Sequence, residues 1–102
     1  MTVGVGINGF GRMGRLVVRA LRHHPQLELV HVNEHKGGLH TAAHLLEFDT
    51  VHGRYPGAVQ VADDALVIDG RRVTFSEHSR PDDIDWAGHG VQVVLEATGR
   101  FK

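Results

Sequence analysis

The residues best suited to chemistry in this sequence lie in the stretch INGFGRMGR, at positions 7–15. Its Asn8-Gly9 dipeptide is typical of a tight β-hairpin turn. Its spacing Gly9-x-Gly11-x-x-Gly14 is typical of a loop that binds a phosphate group. A hairpin leads into a second strand, whereas a phosphate loop leads into a helix. The pattern of apolar residues after the loop therefore decides between the two interpretations.

The apolar pattern after the loop has the period of a helix. Residues 2–7 alternate valine and isoleucine with small residues, which predicts a strand. Residues 11–23 then place apolar side chains on one helical face, Pro25 ends the helix, and residues 27–32 predict a second strand. This order excludes the hairpin and predicts a parallel βαβ unit with a right-handed crossover over residues 2–33. The predicted helical face consists of Met13, Leu16, Val17, Ala20 and Leu21.

The middle of the chain predicts a second helix followed by a hairpin. Residues 37–47 carry another apolar helical face, and residues 49–56 predict a loop. Residues 59–69 alternate on both sides of a polar pair, as the strands of a hairpin do. Gly70 allows a further turn before a strand at residues 71–75. The apolar face of the second helix consists of Leu39, Ala42, Ala43 and Leu46.

The last part of the chain predicts one more strand. Residues 81–85 predict a short polar turn, and residues 91–97 are almost continuously apolar, which predicts a strand buried on both faces. Gly4 and Gly6 predict that a close neighbour packs on the first strand. The predicted fold class is α/β, a Rossmann-like parallel sheet with a βαβ start and an inserted β-hairpin. We expect residues 1–102 to form a partial domain that is truncated before the last strands.

In a strand-to-helix loop of this kind each glycine has a separate task. Gly9 permits the sharp turn, Gly11 lets the backbone approach a diphosphate, and Gly14 lets the helix pack closely on the sheet. The amides of Gly11, Arg12 and Met13 then point outwards at the helix N-terminus, where the helix dipole favours an anion. The Arg12 side chain adds positive charge beside them.

An acidic residue completes the pattern. Glu34 follows Gly14 by 20 residues and lies at the end of the second predicted strand. A carboxylate there accepts hydrogen bonds from the ribose hydroxyls of an adenosine and repels a 2′-phosphate. By itself, Glu34 can also be explained as a solvated carboxylate at a strand end. Together, the strand, loop, helix and acid predict a dinucleotide site with NAD preferred over NADP.

The composition excludes several other classes of protein. Apolar residues make up 41% of the 102 residues and charged residues 23%, which is typical of a folded domain. The formal net charge is −1 and no basic block is present, so we expect no nucleic-acid partner. We also expect no membrane partner, since no apolar run approaches the roughly 20 residues of a membrane span. The sequence lacks cysteine and begins without a signal-peptide pattern, which predicts a cytoplasmic protein.

Four segments of the sequence resemble one family of enzymes. GINGFGRMGR, VNE, HLLEFDTVHGRY and VVLEATGRF are similar to the N-terminal part of the phosphorylating glyceraldehyde-3-phosphate dehydrogenases. The similarity extends over almost the whole chain, and this combination is much more specific than the glycine loop alone. The resemblance implies a Rossmann domain that holds NAD, a second domain with a nucleophilic cysteine and a histidine base, and a homotetramer.

The resemblance also assigns residues to the cofactor. Glu34 matches the ribose-binding acid of the family, which is usually aspartate, and His78 lies near a family arginine or lysine that packs on the adenine. An imidazole can stack there but carries little charge at neutral pH, and a plain surface histidine explains His78 equally well. The predicted cofactor-binding residues are Asn8, Gly9, Phe10, Gly11, Arg12, Met13, Gly14, Glu34, His78, Thr98 and Gly99.

Two branches of the family share further features with this sequence. A glutamate at position 34 also resembles the erythrose-4-phosphate dehydrogenases. The stretch VNEHKGG with TAAHLLEFDTVHGRY is similar to the branch associated with arsenic resistance, whose members are thought to use arsenate in place of phosphate.

The family reaction, as the resemblance implies it, needs a group that this chain lacks. A cysteine thiolate attacks the aldehyde, hydride passes to NAD, and phosphate attacks the resulting thioester. Because the sequence contains no cysteine, we expect these 102 residues to be inactive alone. We expect the apolar last strand to pair or swap between copies through its free edge. The alternative function is a non-catalytic nucleotide-binding or interaction module with the same fold.

Other polar clusters are better explained by structure than by chemistry. His40 and His44 are one helical turn apart, but no third ligand stands at a convincing spacing for zinc. The acids at 82, 83 and 85 do not follow the pattern of a calcium-binding loop. Structural positions are predicted for Asp63 and Asp64 in a turn, Trp86 as a packing anchor and His52 in a structural or interface loop.

Overall fold

In the described part of the chain, the fold consists of a six-stranded sheet, a separate two-stranded sheet and two α-helices. The computed structural model describes residues 2–49 and 53–98. The elements in chain order are β1 (Val3–Asn8), α1 (Arg12–Leu21), β2 (Leu27–Asn33), α2 (Gly38–Glu47), β3 (Phe48–Asp49), β4 (Gly53–Arg54), β5 (Val59–Ala62), β6 (Ala65–Ile68), β7 (Arg71–Ser76) and β8 (Val93–Glu96). Short 3₁₀ turns occupy Pro81–Asp83 and Ala87–His89.

The topology confirms the predicted fold class. Six strands form one sheet in the order β5-β6-β7-β2-β1-β8. The pairs β7–β2, β2–β1 and β1–β8 are parallel, and β5, β6 and β7 pair antiparallel as an inserted hairpin and its neighbour. The chain therefore places β1 in the middle of the parallel strands, with β2 on one side and β8 on the other. The β5–β6 turn contains Asp63 and Asp64, as predicted.

The first helix forms where it was predicted, but its buried face is different. Gly14 and Val18 are the buried residues of α1, whereas Met13 and Leu16 remain 59% and 41% exposed. The predicted face centred on Met13 and Leu16 is therefore wrong. The reason is that α1 approaches β1 closely at Gly14. Because Gly14 has no side chain, its face of the helix is the one that packs against the sheet.

The second helix buries the face that its sequence predicts. Ala42, Ala43 and Leu46 are buried, and Leu39 packs against the same core. This core lies between α2 and the hairpin side of the sheet. The region predicted as a loop at residues 49–56 is partly structured, because β3 and β4 pair antiparallel on either side of the undescribed residues 50–52.

The glycines of the first strand have the close neighbour that was predicted. A Cβ at Gly4 would collide with the carbonyl oxygen of Gly90, and one at Gly6 would lie 2.7 Å from the Trp86 ring. Trp86 also contacts the His31 ring edge-to-face, with centroids 5.4 Å apart. Trp86 is therefore a packing anchor between the 3₁₀ segment and the sheet, as predicted.

The last strand is an edge strand rather than a doubly buried one. Val93 and Val94 are 45% and 42% exposed, so the prediction of burial on both faces is wrong. The physical reason is its position: β8 pairs with β1 on one edge, and no described strand pairs with its other edge. A continuous apolar run predicts burial, but it does not show which part of the chain would cover it.

Some expectations fall on residues whose structure is not described. His52, Gly99 and the end of the chain lie outside the described residues. Within residues 2–49 and 53–98, no helix is both long and apolar enough to span a bilayer. The same part of the chain contains no cluster of three potential metal ligands. His40 and His44 are both exposed on α2.

Candidate cofactor-binding site

The candidate site lies at the carboxyl ends of the parallel strands. The chain leaves β1 after Asn8, β2 after Asn33 and β8 after Glu96, and these three ends lie side by side in the sheet. After β1 the chain continues to β2 on one side of β1, and it later enters β8 on the other side of β1. This change of direction opens a crevice of the kind that binds ligands in α/β proteins.

The three loop glycines meet different surroundings. Gly9 has φ +98°, and a Cβ there would lie 2.7 Å from the backbone nitrogen of Thr98. A Cβ at Gly14 would collide with the carbonyl oxygen of Gly9, so α1 packs directly on the loop. A Cβ at Gly11 would have no atom within 4 Å. Among the three, Gly11 therefore borders open space where a diphosphate can approach the backbone.

The helix N-terminus faces the same open space. Gly11 is the N-cap of α1, and the side chains of Arg12 and Met13 are exposed. The first turn of α1 contains no acidic residue, so the positive end of the helix dipole is not neutralised within that turn. The loop amides and the Arg12 side chain can therefore bind an anion.

A buried ion pair holds the loop from the helix side. Arg15 Nε lies 3.2 Å from Asp49 Oδ2, and the two side chains are only 12% and 1% exposed. Arg15 Nη1 also donates to the carbonyl oxygen of Phe10 at 3.1 Å. One guanidinium thus connects the glycine loop to the segment that follows α2. No local pattern predicts this connection, since Arg15 and Asp49 are 34 positions apart in the chain.

The predicted acid lies against the loop. Glu34 Oε1 accepts a hydrogen bond from the backbone N–H of Phe10 at 2.7 Å. Its Oε2 accepts one from the backbone N–H of Lys36 at 3.2 Å and lies 3.8 Å from His35 Nδ1. The carboxylate therefore orders the glycine loop as well as facing the crevice.

These groups line a cavity of about 410 Å³. Its walls come from the loop, the end of β2 and the end of β8, and its lining residues are Gly9, Gly11, Glu34, His35, Lys36, Ala97 and Thr98. A second cavity of about 460 Å³ lies elsewhere, between α1 and the β6–β7 turn. The chemistry favours the smaller cavity, because it combines backbone amides at a helix N-terminus with a carboxylate.

A neutral histidine lies beneath the site. His31 is fully buried, and its Nε2 lies 2.8 Å from Ser76 Oγ. Its Nδ1 lies 2.6 Å from Thr74 Oγ1, and Ser76 Oγ donates in turn to Asn33 Oδ1 at 2.7 Å. Burial, followed by repulsion from His89 and His78, lowers the pKa of His31 to about 4. His31 is therefore uncharged at neutral pH.

The structure brings only some of the predicted residues to the cavity. Gly9, Gly11, Glu34 and Thr98 line it, and Arg12 and Met13 stand exposed at the adjoining helix N-terminus. The Phe10 side chain is 2% exposed and belongs to the hydrophobic core. The other predicted residues lie close by: Asn8 is buried at the end of β1, Gly14 is packed under the loop, His78 is exposed after β7, and Gly99 lies outside the described residues.

Four residues near the site were not predicted. His35 and Lys36 line the cavity, and Asn33 and Glu96 lie beneath it. The signal for two of them was present, because Asn33 and Glu96 each end a parallel strand in the same way as Asn8. Since the carboxyl ends of parallel strands lie together, polar residues at those positions are expected to meet.

Comparison with known proteins agrees with this geometry. Residues 3–102 match a family model described as glyceraldehyde 3-phosphate dehydrogenase, NAD binding domain. The chain belongs to the glyceraldehyde-3-phosphate dehydrogenase family. It is 54% identical to glyceraldehyde-3-phosphate dehydrogenase 3 of Nostoc sp. (strain PCC 7120) over 102 residues, which cover 100% of the chain and 30% of that protein.

More distant relatives carry the same name. The chain is 45% identical over 101 residues to the glyceraldehyde-3-phosphate dehydrogenases of Lactococcus lactis and Geobacillus stearothermophilus. In each case the match covers 99% of the chain and 30% of the relative. The chain therefore spans about a third of the length of these glyceraldehyde-3-phosphate dehydrogenases and matches their NAD-binding part. NAD is the cofactor of this domain.

The residues present fit that cofactor. The open space at Gly11 and the uncapped dipole of α1 suit a diphosphate, and the Glu34 carboxylate suits a ribose diol. When bound, NAD would supply the hydride acceptor, and the residues of this chain would hold it.

Proposed function

We propose that this chain is the dinucleotide-binding part of a phosphorylating aldehyde dehydrogenase. The full reaction would oxidise glyceraldehyde-3-phosphate with NAD and phosphate, or arsenate in the branch that the sequence resembles, to an acyl phosphate or arsenate and NADH. The observation that supports this proposal best is the open space at Gly11 at the start of α1, with Glu34 across the same cavity. A non-catalytic nucleotide-binding module is the alternative.

We place the catalytic step outside these residues. The thioester chemistry requires a thiolate, and the 102 residues contain no cysteine. The chain by itself should therefore bind nucleotide without oxidising an aldehyde. By the same resemblance, the proposal includes a cytoplasmic, homotetrameric parent protein.

The test is calorimetric titration of the chain with NAD, AMP and NADP. We expect weak binding in which AMP retains most of the affinity of NAD, since the described cavity suits the adenosine half. NADP should bind at least about tenfold more weakly than NAD, because the Glu34 carboxylate would repel a 2′-phosphate.

The decisive variant is Gly11→Val. Its side chain would enter the space for the diphosphate, so NAD affinity should fall at least about tenfold while the circular dichroism spectrum stays unchanged. Gly11→Ala is the matched control, with a smaller side chain in the same open space and a smaller expected loss. Equal NAD binding by the original chain and Gly11→Val would refute the loop assignment.

A further inference from the structure

Asn33 makes every hydrogen bond that its side-chain amide can make. The side chain lies at the end of β2, and the residue is 2% exposed. Its Nδ2 donates to Asn8 Oδ1 at 3.0 Å and to the His78 carbonyl oxygen at 2.9 Å. Its Oδ1 accepts from Ser76 Oγ at 2.7 Å and from the His78 backbone N–H at 2.9 Å. Two donors and two acceptors are thus all satisfied.

On one side, Asn33 holds the segment that follows β7. It contacts both the N–H and the C=O of His78, so one amide pairs with the backbone of one residue from both directions. His78 is exposed, but its backbone is held by both of these bonds. The position of this segment therefore depends on Asn33 rather than on the histidine ring.

On the other side, Asn33 reaches the segment that follows β8. Asn8 accepts from Asn33 and donates through Nδ2 to Glu96 Oε2 at 2.9 Å. The other oxygen of Glu96 accepts from the Thr98 backbone N–H at 3.1 Å and from the Thr98 hydroxyl. Thr98 lines the cavity, so this series of bonds ends at its wall.

We propose that Asn33 is a positioning residue that fixes the segment after β7 and the β8 wall of the cofactor cavity relative to the end of β2, acting through Asn8 and Glu96 without touching the cofactor. The series runs from the His78 backbone through Asn33, Asn8 and Glu96 to Thr98. It crosses β2, β1 and β8 at the last paired residues of these strands, since Asn8 pairs with Asn33 on one side and with Glu96 on the other. The expected effect on NAD affinity rests on the proposed function, whereas the hydrogen bonds themselves do not.

The physical reason is that partly buried polar bonds act as a unit. The groups bonded to Asn33 are buried or partly buried and have Asn33 as a partner instead of water, so removal of its amide leaves several of them unsatisfied at once. Asn8 Oδ1 would lose its donor, and the backbone N–H and C=O of His78 would both lose their partners in Asn33. The segment after β7 and the β8 wall of the cavity should loosen together.

The test compares Asn33→Ala with Val32→Ala in the same chain. Val32 is the preceding residue of β2, is fully buried in the apolar core, and takes no part in the polar series. Amide hydrogen exchange measured by NMR reports on each segment without any ligand. We expect exchange of the His78 and Thr98 amides to be at least about tenfold faster in Asn33→Ala than in Val32→Ala at equal global stability.

The second readout is NAD affinity by calorimetry. We expect Asn33→Ala to lose at least about tenfold more affinity than Val32→Ala, because only the first variant loosens the β8 wall of the cavity at Thr98. If the Thr98 amide exchanges equally fast in the two variants, the proposal is overturned, because a general loss of packing would speed exchange in both. If the original chain does not bind NAD, the cofactor site fails, while the exchange data still decide the positioning inference.

Glu96→Gln provides a test if Asn33→Ala does not fold. Glu96 is exposed at the edge strand, so its replacement by an amide of the same shape should preserve the fold. An amide has one oxygen where the carboxylate uses two, so it cannot accept from both Asn8 and Thr98. We expect faster Thr98 exchange in Glu96→Gln, and unchanged exchange there would also overturn the proposal.

Discussion

At the scale of single residues, the three loop glycines show that one residue type can meet three different requirements. Gly9 needs a positive φ and lies against Thr98, Gly14 needs the absence of a side chain against the Gly9 carbonyl, and Gly11 needs open space. Only the last of these requirements concerns a ligand. Variants at Gly11 and Gly14 should therefore separate binding from stability.

We predict that Gly14→Ala destabilises the fold by about 1–3 kcal/mol, since its Cβ would overlap a backbone atom that cannot move easily. This overlap outweighs the helix propensity that alanine adds, which is about 1 kcal/mol. Urea unfolding followed by circular dichroism measures the change. Gly11→Ala is the control and should unfold at nearly the same urea concentration as the original chain. A Gly14→Ala chain as stable as the original would contradict the close approach of α1 to the loop.

At the scale of elements, the position of a strand in the sheet determines its burial more than its apolarity does. β1 is central and its residues from Gly4 to Asn8 are buried, whereas β8 is equally rich in valine and remains largely exposed. The difference is the number of neighbours, since β1 pairs with two strands and β8 with one described strand. An apolar edge of this kind favours pairing with another chain.

We predict that the chain self-associates through β8 and that Val94→Lys weakens this association. Val94 is 42% exposed, so a lysine can reach solvent there, and charge on an edge strand opposes edge-to-edge pairing. Sedimentation velocity over a range of concentrations measures the effect. The control is Leu45→Lys, which places the same charge on an exposed position of α2, 39% exposed. A clean monomer for the original chain at high concentration would contradict the prediction.

At the scale of the whole molecule, one buried histidine makes stability depend on pH. His31 lies between the parallel strands and the 3₁₀ segment, with its ring stacked on His89 at a centroid distance of 4.0 Å. Its pKa is about 4 in the folded chain, against an ordinary value of 6.5, because burial disfavours the charged ring. The unfolded chain therefore takes up the proton first as the pH falls.

We predict that the free energy of unfolding is highest above pH 6.5 and decreases as the pH falls from 6.5 to 4. The contribution of His31 over this window is about 3 kcal/mol, from the change in its pKa. Urea unfolding at a series of pH values measures it, and the slope should become smaller in His31→Gln. His24→Gln, at an exposed position, should leave the slope unchanged. Equal slopes for His31→Gln and the original chain would show that another group is responsible.

Much of this protein was determined by local sequence. The periods of residues 2–7, 11–23 and 27–32 predicted the βαβ unit, because alternation and helical spacing are local properties of the chain. The glycine spacing and Glu34 predicted the cavity for the same reason, since a loop and the end of the next strand must meet when two parallel strands pair.

The tertiary structure decided what depends on contacts between distant residues. It determined which face of α1 is buried, that β8 lies at an edge, and that Arg15 pairs with Asp49. It also brought Asn33, Asn8 and Glu96 into one series of hydrogen bonds. These outcomes depend on the order of strands in the sheet and on the close approach of backbones at Gly14. No local pattern in the sequence encodes either feature, because each arises only when segments far apart in the chain pack together.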